Sequence, residues 1–288
     1  MSEGKTLADY NQALEAYLSA LPMAGAPDAL RDAMRYSLLS DGKRLRGCLL
    51  LAACDMAGGG MAAALPFAAA LEMIHAYSLI HDDLPAMDND TLRRGKPTNH
   101  VVYGEALAIL AGDALLTHAF EVMAASSHPH AFRALGEIAR AAGVGGMLAG
   151  QTLDVTLEGT APDKAVVERI HAGKTAALLT APLAAGLILA GADAALVEAG
   201  RVYGYHLGMA FQIVDDLLDL EGAPALMGKT LGKDQSEGKL TWPASVGVTQ
   251  ARLDAEAHIR AATDALAPFG PHADFLRELA FSTLHRVQ

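Results

Sequence analysis

The segment that decides the fold is EMIHAYSLIHDDLPAMDNDTLRRGKPTNH, which runs from Glu72 to His100. Its first half is an apolar, helix-like stretch that carries Asp82 and Asp83 at its end and runs into Pro85. A further acid and a group of bases follow, namely Asp88, Arg93, Arg94 and Lys96. Charged groups beside an apolar helix are costly to bury unless a multivalent partner neutralises them. The segment therefore marks a place where polar chemistry meets an apolar interior.

The chemistry of these acids indicates a hard cation. Carboxylate oxygens without nearby thiols suit Mg²⁺, which keeps some of its waters and shares the phosphate oxygens of a substrate. The bases would then bind the phosphate oxygens that the metal does not. A solvated helix end followed by a charged loop is the alternative that this stretch alone leaves open.

A second acidic cluster lies much later in the chain, in the stretch YHLGMAFQIVDDLLDLEG from Tyr205 to Gly222. Asp215 and Asp219 are four residues apart and are therefore neighbours on one helical face, with Gln212 one turn earlier on the same side. Apolar side chains fill most of the remaining helical wheel. A narrow carboxylate stripe on such a helix suits a polar cavity or a metal better than bulk water, which favours the magnesium interpretation of both clusters.

Basic residues stand in two further stretches, which contain Lys43, Arg44 and Arg46 in the first and Lys229, Lys233 and Lys239 in the second. The first stretch opens an apolar helix, where the macrodipole disfavours positive charge, and a turn or N-cap is predicted at Ser40–Gly42. The second stretch is glycine-rich, but its lysine spacing is not that of a Walker motif. Both are compatible with recruiting an anion such as diphosphate, and a solvated basic turn is the alternative.

The composition favours helices packed on helices. Hydrophobic residues make up 52% of the 288 residues but aromatic residues only 5%, so the apolar content is mostly Ala and Leu. The net charge of −11 argues against a nucleic-acid or anionic-membrane binder, although it allows a local basic pocket. The N-terminus lacks the apolar core of a secretory signal, and Cys48 and Cys54 show no metal-binding pattern. We therefore expect packing thiols and a reducing, cytoplasmic location.

One segment has the length of a membrane span, because no charge occurs between Lys174 and Asp193. It is rich in Ala and contains Pro182, Gly186 and Gly191, so its hydropathy is modest. A central helix buried on all sides explains it better, and no stable membrane insertion is expected.

Hydrophobic periodicity and turn residues predict one all-α domain over residues 1–288. The helices whose start and end are both predicted cover about 7–20, 27–39, 60–82, 103–125, 130–142, 146–157, 174–193, 243–266 and 272–286. Further helices are predicted after Gly42, before Gly173 and through the second acidic cluster. The chain contains no internal repeat, low-complexity run or linker.

A carboxylate-bridged di-iron bundle is a competing interpretation. Glu72 with His75, and Glu168 with His171, both have the Glu-x-x-His spacing of such proteins. That interpretation leaves the two aspartate clusters and the basic stretches without a role. A magnesium–diphosphate site uses all of them, because metals and bases stabilise diphosphate as a leaving group while apolar walls exclude water from the resulting cation.

The segments IHAYSLIHDDLPAMDNDTLRRGKPTNH, GEALAILAGDALLTHAF, GQTLD and FQIVDDLLDLEG resemble the trans-prenyltransferases, or polyprenyl synthetases, and most closely the bacterial farnesyl diphosphate synthases. The likeness extends from about Gly42 to Lys239. It implies an isoprenoid synthase fold, an all-α helical bundle around a central apolar cavity, usually as a homodimer. The implied activity is the Mg²⁺-dependent head-to-tail condensation of isopentenyl diphosphate with dimethylallyl and geranyl diphosphate to give farnesyl diphosphate (C15), with three Mg²⁺ ions per active site.

The resemblance also assigns residues by position. The aspartates that match metal-binding positions are Asp82, Asp83, Asp88, Asp215, Asp216 and Asp219. The residues that match the isopentenyl diphosphate site are Lys43, Arg46, His75 and Arg94. The residues that match the allylic diphosphate site are Arg93, Lys174, Thr175, Gln212, Lys229 and Lys239. The implied catalytic residues are Asp82, Asp88, Arg93, Lys174, Thr175, Asp215 and Lys239, with Gln151 and Asp154 in support. No protein base is required in this family, because the departing diphosphate takes the proton.

The chain departs from the family in two places. Family members often have GGKRLRP where this chain has DGKRLRG, Asp41–Gly47, which affects the rigidity of the loop more than its chemistry. The loop before Lys239 differs in length among relatives, which leaves the roles of Lys229 and Lys233 open.

Product length is predicted from Tyr77, five residues before Asp82 and so about 7.5 Å below it along an ideal helix. Helical geometry alone favours Ser78, and it is the resemblance that assigns the fifth residue upstream as the floor for a C15 tail. A geranylgeranyl diphosphate synthase (C20) and a catalytically silent partner subunit are the alternatives. The intact aspartates argue against the silent subunit, whereas the preference between allylic substrates stays open.

Overall fold

The computed structural model describes residues 5–221 and 238–284, and it is built almost entirely from α-helices. The helices are α1 (Leu7–Ser19), α2 (Asp28–Leu38), α3 (Leu45–Met56), α4 (Met61–Asp82), α5 (Asn99–Tyr103), α6 (Glu105–Ala124), α7 (Ala131–Ala142), α8 (Met147–Thr156), α9 (Lys164–His171), α10 (Ala177–Leu189), α11 (Ala194–Glu221), α12 (Trp242–Val246), α13 (Val248–Ala265) and α14 (Asp274–Leu284). A π-helical turn, Ala172–Ala176, joins α9 to α10, and a 3₁₀ turn, Ala267–Ala273, joins α13 to α14. The all-α prediction is confirmed.

Among the described residues, β-structure is limited to one short hairpin. Leu92–Arg93 pairs antiparallel with Lys96–Pro97. It directly follows the first acidic cluster, because α4 ends at Asp82 where the approaching Pro85 disfavours a further helical turn. The hairpin turns the chain so that Arg93 faces back toward the end of α4, where its guanidinium meets Asp83.

The uncharged helix α10 lies in the centre of the bundle, as its sequence predicts. All residues from Ala181 to Leu189 are buried. Gly186 lets α10 approach α3 so closely that a Cβ there would lie 2.3 Å from the Leu50 carbonyl oxygen. On the other side, Gly204 and Gly208 of α11 allow the same kind of backbone approach to α10 and the π-helical turn. Small residues thus let four elements share one dry core.

Three helical stretches in the described chain have the length and hydropathy of a membrane span: Met61–Asp82, Glu105–Ala124 and Lys164–Leu189. The apolar windows of the first and third are 67% and 72% buried by other parts of the protein. That of Glu105–Ala124 is only 33% buried, because one face of α6 is covered by no other described element. Interior packing therefore accounts for two of the three apolar stretches.

Several predicted helix boundaries need correction. The helix predicted over 103–125 is interrupted at Gly104, and the one over 243–266 at Gly247; both glycines have a positive φ that ends a helix. Of the two alternatives predicted at Ser40–Gly42, the turn is correct and the N-cap is not, since the chain bends at Ser40 and Asp41 whereas α3 begins at Leu45 after Arg44, whose φ is 46° and whose side chain does not cap the helix. Arg44 is buried and held by Glu15 at 2.6 Å, so an ion pair stabilises this unusual backbone conformation.

Both cysteines of α3 are buried free thiols. Burial raises the pKa of Cys48 to about 12 and that of Cys54 to about 11. Their predicted role as packing thiols is confirmed.

Candidate active site

A cavity of about 540 Å³ lies between α4, α8, the π-helical turn, α10 and α11. Its lining includes both acidic clusters, from α4 and the following loop on one side and from α11 on the other. The clusters are separated by more than a hundred residues in sequence, yet they open onto one space. The rest of the lining is largely apolar, with Met147, Leu148, Leu178 and Phe211 prominent. The cavity thus combines charged and apolar lining residues, as the sequence and the resemblance predict.

Two glycines set the width of the cavity on the α8 side. Gly150 of α8 and Gly173 of the π-helical turn meet so closely that a Cβ on Gly150 would lie 2.0 Å from the Lys174 backbone nitrogen. Two polar side chains of α8 line the cavity beside this contact, Gln151 and Asp154. Asp154 receives a hydrogen bond from Lys174 Nζ at 2.6 Å.

The first cluster consists of three aspartates with different surroundings. Asp82 Oδ1 accepts a hydrogen bond from Gln151 Nε2 at 2.9 Å. Burial raises the pKa of Asp82 and the charges of Asp88 and Asp83 reinforce the shift, against an opposing effect of Lys174. This concentration of negative charge would favour a bound cation.

Its two neighbours face cationic side chains. Asp83 is buried and receives a bidentate hydrogen bond from Arg93, with donor–acceptor distances of 2.5–3.0 Å. Although burial acts to lower the pKa of Arg93, its contacts with Asp83 raise it overall, so the guanidinium is firmly charged. Asp88 receives a hydrogen bond from Lys239 Nζ at 3.0 Å. The resemblance assigns both bases to the allylic diphosphate site, and the structure brings both to the acidic cluster.

The second cluster divides between cavity and interior. Asp215 and Asp219 are partly exposed on α11 and line the cavity. Asp216 lines it too but is nearly buried and accepts hydrogen bonds from Gln212 Nε2 at 2.9 Å and from the Trp242 backbone nitrogen at 2.8 Å. His171 Nε2 lies 3.3 Å from the same carboxylate. Asp216 thereby ties α9, α11 and the start of α12 together.

The hydrogen-bonded chain continues to the π-helical turn. Thr175 Oγ1 donates to Gln212 Oε1 at 2.6 Å, which leaves the Gln212 amide nitrogen to bind Asp216. On the far side of Asp216, the His171 ring stacks on Trp242 with ring centroids 5.6 Å apart. Predicted residues Thr175 and Gln212 therefore belong to one connected network.

The predicted isopentenyl diphosphate residues are only partly brought together. Arg46 and His75 line the cavity, and the Arg46 Nε is buried without a hydrogen-bond partner among the described residues. Burial, followed by the nearby arginines, lowers the pKa of His75 well below its ordinary value, so this ring is neutral. Lys43 and Arg94 are exposed and lie outside the cavity lining, and Arg94 donates to the Asp41 carbonyl oxygen. The predicted residue Lys229, like Lys233, lies outside the described residues.

The two Glu-x-x-His pairs do not form a di-iron site. Glu72 is buried and accepts a hydrogen bond from the Gly47 backbone nitrogen at 2.8 Å, whereas Glu168 is exposed on α9. Across residues 5–221 and 238–284, no group of three His, Cys, Asp or Glu side chains is placed to hold a metal ion by protein ligands alone. The di-iron interpretation therefore has no support in the described chain.

The aspartates do fit a magnesium ion that is shared with substrate. Their donors are carboxylate oxygens alone, and they line one cavity beside Arg93, Lys174 and Lys239. Mg²⁺ usually takes one or two protein carboxylates and completes its octahedron with water and phosphate oxygens. A site with fewer than three converging protein ligands is compatible with such sharing.

Sequence reasoning considered His171 only as a di-iron ligand and assigned no role to His81 or Trp242. His171 precedes Lys174 by three residues and so shares its helical face, a spacing that could have drawn attention to it. No local signal marks Trp242, since its bond to Asp216 joins residues far apart in the chain.

Known proteins share both the sequence and the fold. A family model described as polyprenyl synthetase matches residues 27–266. Geranylgeranyl pyrophosphate synthase 9, chloroplastic, of Arabidopsis thaliana is 48% identical over 253 residues, which cover 85% of this chain and 70% of that protein. The farnesyl diphosphate synthase of Geobacillus stearothermophilus is 46% identical over 268 residues, covering 91% and 90%.

Similarity to a solved structure spans nearly the whole chain. The crystal structure of an FPP/GFPP synthase from Zymomonas mobilis superposes with a TM-score of 0.85 at 35% identity and covers 96% of this chain and 97% of that one. Its all-α isoprenoid synthase fold agrees with the helix order and the central cavity described above. The chain therefore belongs to the polyprenyl synthetase family of trans-prenyltransferases.

Proposed function

We propose that the protein condenses isopentenyl diphosphate head-to-tail with dimethylallyl and then geranyl diphosphate, and that it releases farnesyl diphosphate (C15). The observation that carries the proposal is the layout of the cavity. Two aspartate clusters and their bases line one cavity whose remaining wall is largely apolar, and the buried ring of Tyr77 is part of that wall. A diphosphate held at the aspartates would place its hydrocarbon tail against that wall.

The proposed reaction begins with cleavage of the C–O bond between the allylic carbon and its diphosphate, which leaves a carbocation. The terminal alkene carbon of isopentenyl diphosphate then bonds to that carbon, and loss of a proton from the adjacent CH₂ to the departed diphosphate restores a double bond. Asp82, Asp88 and Asp215, assisted by Asp83, Asp216 and Asp219, would hold Mg²⁺. Bound Mg²⁺ neutralises diphosphate oxygens and so stabilises the leaving group.

The other residues act through charge and shape. Arg93, Lys174 and Lys239 would bind the allylic diphosphate, and Thr175 and Gln212 hold the π-helical turn that carries Lys174. Arg46 and the neutral His75 line the same cavity, where they would orient isopentenyl diphosphate. The apolar lining excludes water, which would otherwise capture the carbocation.

A homodimer is part of the proposal. The outer faces of α5 and α6 expose Val101, Val102, Ile109 and Leu110, with Leu110 at 55% of its full exposure. Several exposed apolar side chains on neighbouring helices are typical of an interaction site.

Removal of divalent metal should abolish the reaction. Treatment with EDTA is expected to stop product formation, because the aspartates alone leave the diphosphate charge unneutralised, and added Mg²⁺ should restore it. The measurement is incorporation of labelled isopentenyl diphosphate into acid-labile product. Stoichiometric iron together with activity in EDTA would contradict the proposal.

A C20 product is the second candidate, since a relative at 48% identity is named a geranylgeranyl pyrophosphate synthase. The described structure favours C15 through Tyr77. Its side chain is buried, lines the cavity and lies on α4 five residues before Asp82. The resemblance to the family assigns a bulky ring at this position as the floor for a tail of three isoprene units.

Replacing Tyr77 with alanine should therefore lengthen the product. We expect wild-type protein to yield mainly C15 and Tyr77→Ala to yield C20 or longer, because the ring no longer blocks the cavity. The matched control is Tyr77→Phe, which keeps the ring and should keep C15. Chromatography of the dephosphorylated alcohols measures the outcome. A wild type that yields mainly C20, or an alanine variant that still stops at C15, would show that Tyr77 is an ordinary core residue.

A further inference from the structure

His81 stands directly before Asp82 and one helical turn after Tyr77. The two rings meet edge to face, with centroids 5.7 Å apart and planes at 81°. Both side chains line the cavity. The Tyr77 ring is therefore not an isolated obstacle but half of an aromatic pair.

The position of His81 is fixed from α6. Its Nε2 lies 3.1 Å from the Ile109 carbonyl oxygen, within hydrogen-bond distance. The ring also sits over Gly112, where a Cβ would lie 2.2 Å from Nε2 and 2.5 Å from Cδ2. Only glycine leaves room for the ring at this crossing of α4 and α6. Backbone atoms of a neighbouring helix thus hold His81 from two directions.

We propose that His81, seated on Gly112, is a second residue that determines product length. This inference rests on the proposed prenyl-chain elongation. Tyr77 can swing about its side-chain bonds, and the growing tail pushes against it. His81 opposes that movement because its ring occupies the space beside Tyr77 and favours one relative orientation of the two rings. Product length is then a property of the pair and of the α4–α6 crossing that supports it.

The ring and the hydrogen bond of His81 can be tested separately. His81→Phe keeps a ring but cannot donate to the Ile109 carbonyl, so it isolates the hydrogen bond, and comparison of His81→Asn with His81→Phe isolates the ring. Loss of the ring should raise the ratio of C20 to C15 products by about 2- to 10-fold, the range expected for one edge-to-face aromatic contact. His81→Phe should keep the wild-type ratio. Each product distribution is measured with isopentenyl and dimethylallyl diphosphate, next to the melting temperature of the same preparation.

A substitution on α6 supplies an independent test. Gly112→Ala leaves both rings intact but places a methyl group where His81 Nε2 lies, so it should displace the ring and lengthen the product as His81→Asn does. The control is Gly136→Ala on α7, whose Cβ would meet nothing within 4 Å and which should leave the product unchanged.

The outcomes separate this inference from the proposed function. If Tyr77→Ala lengthens the product while His81→Asn and Gly112→Ala do not, His81 has no role in specificity and the C15 proposal stands. If wild type makes mainly C20, the C15 proposal fails, and the inference then depends on whether His81→Asn lengthens that product. A loss of C15 specificity in His81→Phe equal to that in His81→Asn would overturn the inference by excluding the ring.

Discussion

Asp82→Asn and Asp215→Asn should each lower kcat by about 10²–10³, the usual effect of removing one preorganised charge from a site where charge develops in the transition state. Both carboxylates line the cavity, from α4 and from α11. Asparagine at position 82 retains an oxygen that can accept the 2.9 Å hydrogen bond of Gln151, so the variant loses charge while keeping its local packing. Steady-state kinetics with both diphosphates, together with a melting curve, measure the two properties.

The control for this loss is an acid of the same kind outside the cavity. Asp264 is exposed on α13, and Asp264→Asn should leave kcat near the wild-type value. Near-normal turnover in Asp82→Asn or Asp215→Asn would mean that the site has been placed wrongly.

Asp216→Ala should differ from its neighbour by lowering stability. Removal of this carboxylate leaves the Trp242 backbone N–H and the Gln212 amide without their acceptor, with His171 unpaired beside them. Breaking a buried, hydrogen-bonded charge in this way typically costs about 3–5 kcal/mol in the free energy of unfolding. Urea denaturation should show the corresponding fall in midpoint.

Asp215→Ala is the matched control, because Asp215 precedes Asp216 in the same helix and is partly exposed. It should keep a midpoint near that of the wild type while losing turnover. An Asp216→Ala variant that is as stable as wild type but inactive would show that this carboxylate serves the metal and not the framework.

The helical architecture could be predicted because its signals are local. The break after α1, the end of α4 before Pro85 and the buried α10 follow from periodicity, proline and the absence of charge. The interruptions at Gly104 and Gly247 were missed because a single glycine does not always end a helix. The N-cap alternative at Ser40–Gly42 fails for a different reason. Arg44 adopts a left-handed conformation and is held by an ion pair with the distant Glu15, and no local pattern reveals that pair.

The candidate site could be predicted to the level of residue sets but not of roles. The spacing of Asp215 and Asp219 and the bases after Asp88 point to a shared polar site. Sequence gives no reason for Asp83 to bind Arg93 or for Asp216 to bind Trp242, because these pairings depend on how the hairpin and α12 fold back. Aspartates of one motif therefore have different hydrogen-bond partners, and only the tertiary structure distinguishes them.

The reactivity of the two thiols of α3 can be used to measure local unfolding around this helix. Alkylating reagents attack the thiolate, and burial both shields Cys48 and Cys54 and raises their pKa values, so the folded protein reacts slowly. Alkylation therefore requires α3 to separate transiently from its neighbours, so the alkylation rate reports how often these openings occur. Since α3 also carries Arg46, the same chemistry follows how firmly one wall of the cavity is held in solution.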